Sequence, residues 1–185
     1  MTYTPLTRDF YGFADGLTDV EREALAGLRA WLEAEVKPVV NDYWERAEFP
    51  KELLPAFHTQ PVFGMQWDET RPFENSAVYR GWAALELSRI DASISTYVGV
   101  QNGLALGAIA VTGSPEQRAE WLPKLASGEV VGAFGLTEPL SGSDSAQGLR
   151  TTATREGDEW VINGAKRWIG NATWSDIVVI WAKDT

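Results

Sequence analysis

Cysteine is absent from the 185 residues of this sequence, and histidine occurs only once. Without cysteine the chain has no disulfide, no thiolate nucleophile and no thiolate metal ligand. A single imidazole, that of His58, is too little for a zinc or iron site, so we expect no metal centre. His58 follows Phe57 in a predicted helix, where a packed or surface role is favoured over a catalytic one.

Positive charge is also scarce, with 16 lysines and arginines against 26 acidic residues and a formal net charge of −10. Because nucleic acids are bound mainly through cationic contacts to phosphate, this balance argues against a nucleic-acid partner. The acidic residues are scattered rather than clustered, which is typical of a solvated surface.

Targeting and membrane signals are not evident either. The first ten residues show no charged segment followed by an apolar run, so no signal peptide is predicted and a cytoplasmic location is expected. The longest apolar stretch, at 97–111, is interrupted by Gln101, Asn102 and glycines. We therefore expect it to be too polar and too short for a membrane span.

What the chain does contain, from residue 18 to residue 128, is a succession of helix signals. Residues 18–21 (TDVE) form a capping-box pattern, and residues 114–117 (SPEQ) form a second one. Asn75 is the predicted cap of a helix that reaches Ile90. The stretch 91–111 is nearly apolar and rich in small residues, which predicts a buried helix. An N-terminal all-α domain is therefore predicted over residues 1–128.

The pattern changes to short strands at about residue 130. A strand is predicted at 130–136, a hairpin at 149–155 and 159–163, and an apolar strand at 177–182. The chain is therefore predicted to be α+β, with residues 129–185 forming the start of a β domain. An apolar last strand without a partner would be an exposed edge, so we expect more chain or a second polypeptide to cover it.

One segment carries the pattern of a ligand-binding loop. Residues 132–144 (GAFGLTEPLSGSD) form a strand that ends in a turn rich in glycine and serine, where backbone N–H groups can bind an anion. The usual phosphate-binding glycine patterns are absent. Trp168 lies in a second turn, where its ring could lie against a planar ligand. The alternative is an ordinary sharp turn, with Trp168 as a core residue.

These two segments resemble the acyl-CoA dehydrogenase and oxidase family of flavoproteins. The matching runs are FGLTEP, SGSD and INGAKRWIGNA, preceded in the same order by LELSRIDAS and VTGSPEQRAEWLPKLASGE. The likeness covers roughly residues 18–185. It implies an N-terminal helical domain, the first strands of a β-barrel-like middle domain, and FAD as cofactor. It also implies a C-terminal helical bundle that this chain lacks, in a subunit about twice as long.

The resemblance also implies roles for individual residues. Backbone groups of Phe134 and Leu136, with the Thr137 hydroxyl, would hold the polar edge of the flavin ring, where donors stabilise developing negative charge. The full set of implied cofactor-binding residues is Phe134, Leu136, Thr137, Gly142, Ser143, Trp168, Ile169 and Gly170. The implied substrate-binding residues are Ser95, Thr96 and Ser143.

Two departures from the family pattern narrow the expected branch. Family dehydrogenases commonly have Thr where this chain has Gly170, and KRWIGN with the DASIST stretch resembles short-chain acyl-CoA oxidases, a branch close to glutaryl-CoA dehydrogenases. Glutaryl-type enzymes have Arg where this chain has Ser95. Because Ser95 cannot pair bidentately with a carboxylate, a short neutral acyl chain is expected rather than a dicarboxylyl group.

The implied reaction is α,β-dehydrogenation of a short-chain acyl-CoA thioester. The family's catalytic base is a Glu of the C-terminal bundle, which no residue here matches, so the base is expected beyond Thr185. Glu138 and Asp144 are interpreted as carboxylates that order the loop. The expected acceptor is an electron-transferring flavoprotein or oxygen, and the expected assembly is a homo- or hetero-oligomer resembling a tetramer.

Three hypotheses about the activity are therefore open. The chain is part of a dehydrogenase or of an oxidase, it is a catalytically incomplete subunit or fragment that needs a second chain, or it is a helical protein that has kept the loop without binding flavin.

Overall fold

The computed structural model describes residues 3–5 and 9–185. Helices occupy the first two thirds, and all the strands lie in the last third together with one short helix, so the predicted α+β class is confirmed. The α-helices are α1 (Asp19–Trp31), α2 (Val40–Glu45), α3 (Leu54–Phe57), α4 (Ala77–Ile90), α5 (Ala92–Val98), α6 (Gly107–Thr112), α7 (Pro115–Ser127) and α8 (Ser145–Gly148). The strands are β1 (Gly132–Gly135), β2 (Thr152–Glu156), β3 (Glu159–Asn163), β4 (Ile177–Ile180) and β5 (Lys183–Asp184).

Both predicted capping boxes form, at Thr18 before α1 and at Ser114 before α7. The predicted cap of α4 is wrong by one residue, because Ser76 accepts the capping hydrogen bond from the Tyr79 N–H group at 3.0 Å. Asn75 instead donates from its side chain to the Met65 carbonyl at 2.8 Å. That bond holds the loop before α4 against the helix start.

α5 and α6 are the two ends of one continuous helix. A π-helical stretch, Gly99–Leu106, joins them, and wide turns of this kind often occur at functional sites. The whole helix, Ala92–Thr112, is 21 residues long and apolar enough to cross a membrane by length and composition alone. The expectation that this stretch is too short is therefore wrong. Half of its most apolar window is buried inside the protein, as in the core helix of a globular domain.

The strands form two small sheets. β1 and β4 pair in parallel, with Phe134 opposite Val179. β2 and β3 form the predicted hairpin, whose tight turn contains Gly157 at a φ of 64°. β1 pairs with one edge of the last apolar strand, β4, and among the described residues no strand lies beside its other edge. That more chain or a second polypeptide covers this edge stays a prediction. Exposed side chains on and after β4, such as Val178 and Trp181, still leave apolar surface open.

The main core lies between α1, α4 and α5, and His58 packs at its edge. Its ring stacks on Phe63, with centroids 3.9 Å apart, and its Nε2 lies 2.7 Å from the Tyr97 hydroxyl. Burial lowers the pKa of His58, which favours the neutral imidazole at neutral pH. The predicted packed role of this residue therefore holds.

Candidate functional site

One edge of β1 presents backbone N–H groups that none of the described residues accepts from. Ile177 and Trp181 donate their N–H groups to the carbonyls of Val131 and Gly135, at 3.2 and 3.0 Å. Because backbone groups alternate along a strand, Phe134 and Leu136 face the opposite edge. Among the described residues, no acceptor lies within hydrogen-bonding distance of the N–H groups of these two residues. This open edge of β1 can therefore donate hydrogen bonds to a ligand.

The start of the same edge is held by side chains from two other parts of the chain. Gln101, fully buried in the π-helical stretch, accepts from the Gly132 N–H group at 2.9 Å. Asn171 donates from its side chain to the Gly132 carbonyl at 3.2 Å. β1 is therefore positioned both by the core helix and by the segment that follows β3.

A buried ion pair fixes the residues just after β1. Glu138, only 5% exposed, accepts from the N–H groups of Arg150 and Thr151 at 2.6 and 2.9 Å. Lys166 donates to the same carboxylate at 2.9 Å and to the Leu136 carbonyl at 3.1 Å. The ammonium of Lys166, with the groups of Thr151 and Arg150, holds the pKa of Glu138 well below its usual range. Such a carboxylate is a weak base, which fits the expected loop-ordering role.

The two motif segments meet at this ion pair. The Arg167 N–H group donates to the Thr137 carbonyl at 2.9 Å, directly beside the Lys166 contact. The Thr137 hydroxyl is half-buried and has no hydrogen-bond partner in the described part of the chain. Thr137 thus follows directly in sequence after Leu136, the second residue of β1's open edge.

Trp168 is not a core residue. Its side chain is 79% exposed and its backbone has a φ of 61°, a region that bulky residues rarely adopt. The Arg167 guanidinium lies over its ring, with 4.4 Å between its carbon and the centroid. An exposed indole held in a strained turn is better explained by a ligand than by packing.

Ile169 and Gly170 follow in the same turn. Ile169 is half-buried and Gly170 is exposed. A Cβ built on Gly170 would stand 3.6 Å from Val100 Cγ2, an ordinary contact, so the position has room for a side chain. Gly170 is therefore a chemical departure from the family pattern rather than a steric requirement.

The glycine- and serine-rich loop lies on the surface. Gly142 and Ser143 are exposed, and the Ser141 hydroxyl donates to the Asp144 carbonyl oxygen at 3.0 Å. The expected role of Asp144 is not seen, because its side chain makes no capping bond to the backbone. Glu138 and Ser141 order this loop instead.

The predicted substrate residues lie apart from the β1 edge, on α5. Ser95 lines a cavity of about 250 Å³ between α4 and α5, and its oxygen accepts from the Ser88 hydroxyl at 2.8 Å. Thr96 is exposed, and its hydroxyl donates back to the Ala92 carbonyl at 2.8 Å. Val100, which faces Gly170, belongs to the same helix as Ser95. One helix therefore borders both the cavity and the turn of Trp168.

Sequence reasoning missed four residues of this region: Lys166, Gln101, Asn171 and Arg80. Lys166 and Asn171 stand inside the recognised KRWIGN run, but their partners are distant in sequence. Gln101 had a usable signal, because an amide in an otherwise apolar helix requires buried partners. Arg80, which also lines the cavity, carried no signal in the sequence.

Comparison with known proteins places the chain in a family. Residues 18–129 match the family model of the acyl-CoA dehydrogenase N-terminal domain, and residues 133–185 match the model of the acyl-CoA dehydrogenase middle domain. The chain therefore belongs to the acyl-CoA dehydrogenase family, and the resemblance drawn from its motifs is confirmed.

Individual relatives agree with that assignment. The chain is 33% identical over 156 residues to an acyl-CoA dehydrogenase of Bacillus subtilis, covering 84% of this chain and 41% of that protein. It is 34% identical over 184 residues to the (2S)-methylsuccinyl-CoA dehydrogenase of Cereibacter sphaeroides, covering 96% of this chain and 33% of that protein.

A solved structure is similar along almost the whole chain. The glutaryl-CoA dehydrogenase of Mycobacterium smegmatis, in complex with FADH2, superposes with a TM-score of 0.88 at 38% identity. That likeness covers 99% of this chain and 47% of the other protein. The chain thus spans less than half the length of the relatives it matches.

Proposed function

We propose that this chain supplies the flavin-binding half of an FAD-dependent acyl-CoA dehydrogenase acting on short-chain acyl thioesters. The observation that carries the proposal is the open edge of β1, where the N–H groups of Phe134 and Leu136 have no acceptor among the described residues and are followed in sequence by Thr137, whose hydroxyl also has no partner there. A flavin ring has one polar edge, and fixed donors of this kind match it.

The surrounding residues fit the remainder of such a ligand. Trp168 and Ile169 would pack beside the ring, with Gly170 leaving space next to it. Gly142 and Ser143, exposed in the loop after β1, would lie towards the pyrophosphate. Bound FAD supplies a two-electron acceptor for the oxidation of a carbon–carbon bond. The chain's own part is to keep the flavin-contacting strand in position, since Gln101 and Asn171 bond Gly132 and Lys166 bonds the Leu136 carbonyl.

The base that removes the α-proton belongs elsewhere in the enzyme. Glu138 is the carboxylate nearest in sequence to the flavin-binding run, but its three donors keep it ionised and occupied. A general base needs a pKa closer to the working pH than this. We therefore place the base beyond Thr185 or on a second chain, within an oligomeric cytoplasmic enzyme.

The acyl group would enter the cavity between α4 and α5, with Ser95 as a contact. The volume of about 250 Å³ favours a short chain, since each heavy atom takes roughly 30 Å³, the share of one water molecule in the liquid. Two relatives are named for glutaryl-CoA and (2S)-methylsuccinyl-CoA, whose acyl groups carry an extra carboxylate. Ser95 by itself cannot pair with that charge.

Gly170 favours a second candidate function, the use of oxygen as acceptor. A position without a side chain leaves only backbone to bond the flavin, and a differently bonded flavin could react with oxygen. An electron-transferring flavoprotein is the acceptor for the first candidate. A catalytically incomplete subunit, completed by another chain, fits the same flavin site.

Titration of the purified apoprotein with FAD tests the proposal. Saturable binding that quenches flavin fluorescence, weakened several-fold by Thr137→Val, is the expected result, since a hydrogen bond between neutral groups contributes about 0.5–1.5 kcal/mol. Failure of FAD to bind would refute it. Butyryl-CoA added to the complete enzyme, with peroxide and dye reduction assayed in parallel, then separates oxidase from dehydrogenase.

A further inference from the structure

The cavity between α4 and α5 contains a positively charged side chain. Arg80 lines it from α4, near the helix start, while Ser95 lines it from α5. Ser88, which donates to Ser95, is eight residues further along α4, roughly 12 Å at 1.5 Å per residue. Ser88 itself does not line the cavity, but it fixes the Ser95 hydroxyl far along α4 from Arg80. The cavity therefore has the Ser95 hydroxyl towards one end and the Arg80 guanidinium towards the other.

No acidic residue neutralises Arg80 among the residues that the structure describes. Its Nη1 donates to the side-chain oxygen of Asn75 at 2.8 Å and lies 3.5 Å from the Asn75 carbonyl. The neighbouring Arg71 differs, because it pairs with both Asp68 and Glu74. Arg80 therefore has guanidinium donors left for a ligand.

The other residues that line the cavity also leave the charge of Arg80 unbalanced. In a chain of net charge −10, the described residues around the cavity include no Asp or Glu, and Arg80 is their one charged member. Asn102 is already committed, since its side-chain oxygen accepts from the Gly64 N–H group at 2.8 Å. A lone guanidinium beside apolar walls attracts an anion more strongly than one in open solvent.

The cavity also has room for a substituent at the end of a short acyl chain. Gly99 and Gly103 line it one turn apart, and a Cβ on either would meet no other atom within 4 Å. At roughly 30 Å³ per heavy atom, the cavity of about 250 Å³ holds about eight heavy atoms. A five-carbon acyl group with a terminal carboxylate is of that size.

From these observations we infer that Arg80 is a specificity-determining residue that binds a terminal carboxylate, so that the acyl group is an ω-carboxyacyl thioester. This inference rests on the proposed function, because it assumes that the acyl chain enters this cavity. It assigns to α4 the anion recognition that Ser95 on α5 cannot provide. The planar guanidinium is suited to a carboxylate, since its fork of donors matches the two oxygens.

Binding of two matched thioesters tests the inference. Glutaryl-CoA and pentanoyl-CoA have the same number of acyl carbons and differ at the terminal carbon, which is a carboxylate in one and a methyl in the other. Their dissociation constants would be measured by calorimetry on the FAD-loaded protein, its Arg80→Met and Arg80→Lys variants, and an Arg71→Met control. The control removes the same charge outside the cavity.

The expected result is that the unmodified protein binds glutaryl-CoA at least about tenfold more tightly than pentanoyl-CoA. Arg80→Met removes that preference by weakening glutaryl-CoA alone, Arg80→Lys keeps part of it, and Arg71→Met keeps all of it. Equal binding of the two thioesters, or a preference that survives Arg80→Met, overturns the inference.

The other variants and the FAD titration distinguish a misfolded variant, or a failure of the proposed function, from a failure of the role proposed for Arg80. If Arg80→Met does not fold, the preference of the unmodified protein and its reduction in Arg80→Lys decide the question. If neither thioester binds to any form while FAD does, the proposed function fails and not merely the role of Arg80.

Discussion

Replacing Gln101 by Leu tests how the helical part positions the flavin edge of β1. The side chain is fully buried and makes three hydrogen bonds. It donates to the carbonyls of Leu125 and Val130, both at 2.8 Å, and accepts from the Gly132 N–H group at 2.9 Å. Leucine has a similar size and fills the space, but it can make none of these bonds.

The size of the effect follows from the groups left unpaired. A buried donor or acceptor without a partner costs about 1–3 kcal/mol, and the substitution orphans up to three such groups. We expect Gln101→Leu to lower the free energy of unfolding by about 3 kcal/mol, after some of the groups find water. Because Gly132 lies two residues before Phe134, the loss should also weaken FAD binding several-fold.

Urea denaturation of both proteins measures the first quantity, and FAD titration of the folded fraction measures the second. Gln60→Leu is the matched control, since its side chain makes only local contacts of 3.3 and 3.4 Å near the surface. It should change stability by no more than about 0.5 kcal/mol. A loss below about 1 kcal/mol for Gln101→Leu would contradict the argument.

Three further predictions concern single residues. Lys166→Met raises the low pKa of Glu138, because it removes the ammonium that stabilises the carboxylate. The stability that this charged carboxylate contributes is lost as pH falls below about 4, so we expect acid unfolding, monitored by circular dichroism, to move to higher pH. Lys166→Arg keeps the positive charge and should leave the acid-unfolding midpoint unchanged. Gly170→Thr changes the free energy of unfolding by no more than about 0.5 kcal/mol, because its Cβ has room, and a larger loss in urea would show a hidden steric conflict. Gly128→Ala destabilises by more than about 1 kcal/mol in the same assay, because Gly128 has a φ of 76° and the new Cβ would lie 2.4 Å from the His58 ring; a neutral result would refute this.

The parts of the fold that sequence predicts well are those set by neighbouring residues. The capping boxes at Thr18 and Ser114 require side chains three positions apart, and both form as predicted. The hairpin turn at Gly157 is local in the same way. By contrast, the parallel pairing of β1 with β4 joins residues 45 positions apart, such as Gly132 and Ile177, so no local pattern reveals it.

The candidate site likewise combines residues predicted from a local motif with residues whose role depends on contacts distant in sequence. Phe134, Leu136 and Thr137 are predicted from a contiguous motif, and their proposed role depends on which edge of β1 is free. That edge is determined by the register with β4, which only the folded structure provides. No sequence pattern points to Arg80, because its proposed role depends on its place in the cavity lining and on the lack of an acidic partner among the described residues.

Amide hydrogen exchange of Phe134 and Leu136, measured with and without FAD, tests the central claim most directly. These N–H groups lie on the open edge of β1, whereas those of Ala133 and Gly135 face β4. We expect FAD to slow exchange at Phe134 and Leu136 and to leave the β4-facing pair nearly unchanged. FAD binding that leaves Phe134 and Leu136 unprotected would contradict the account.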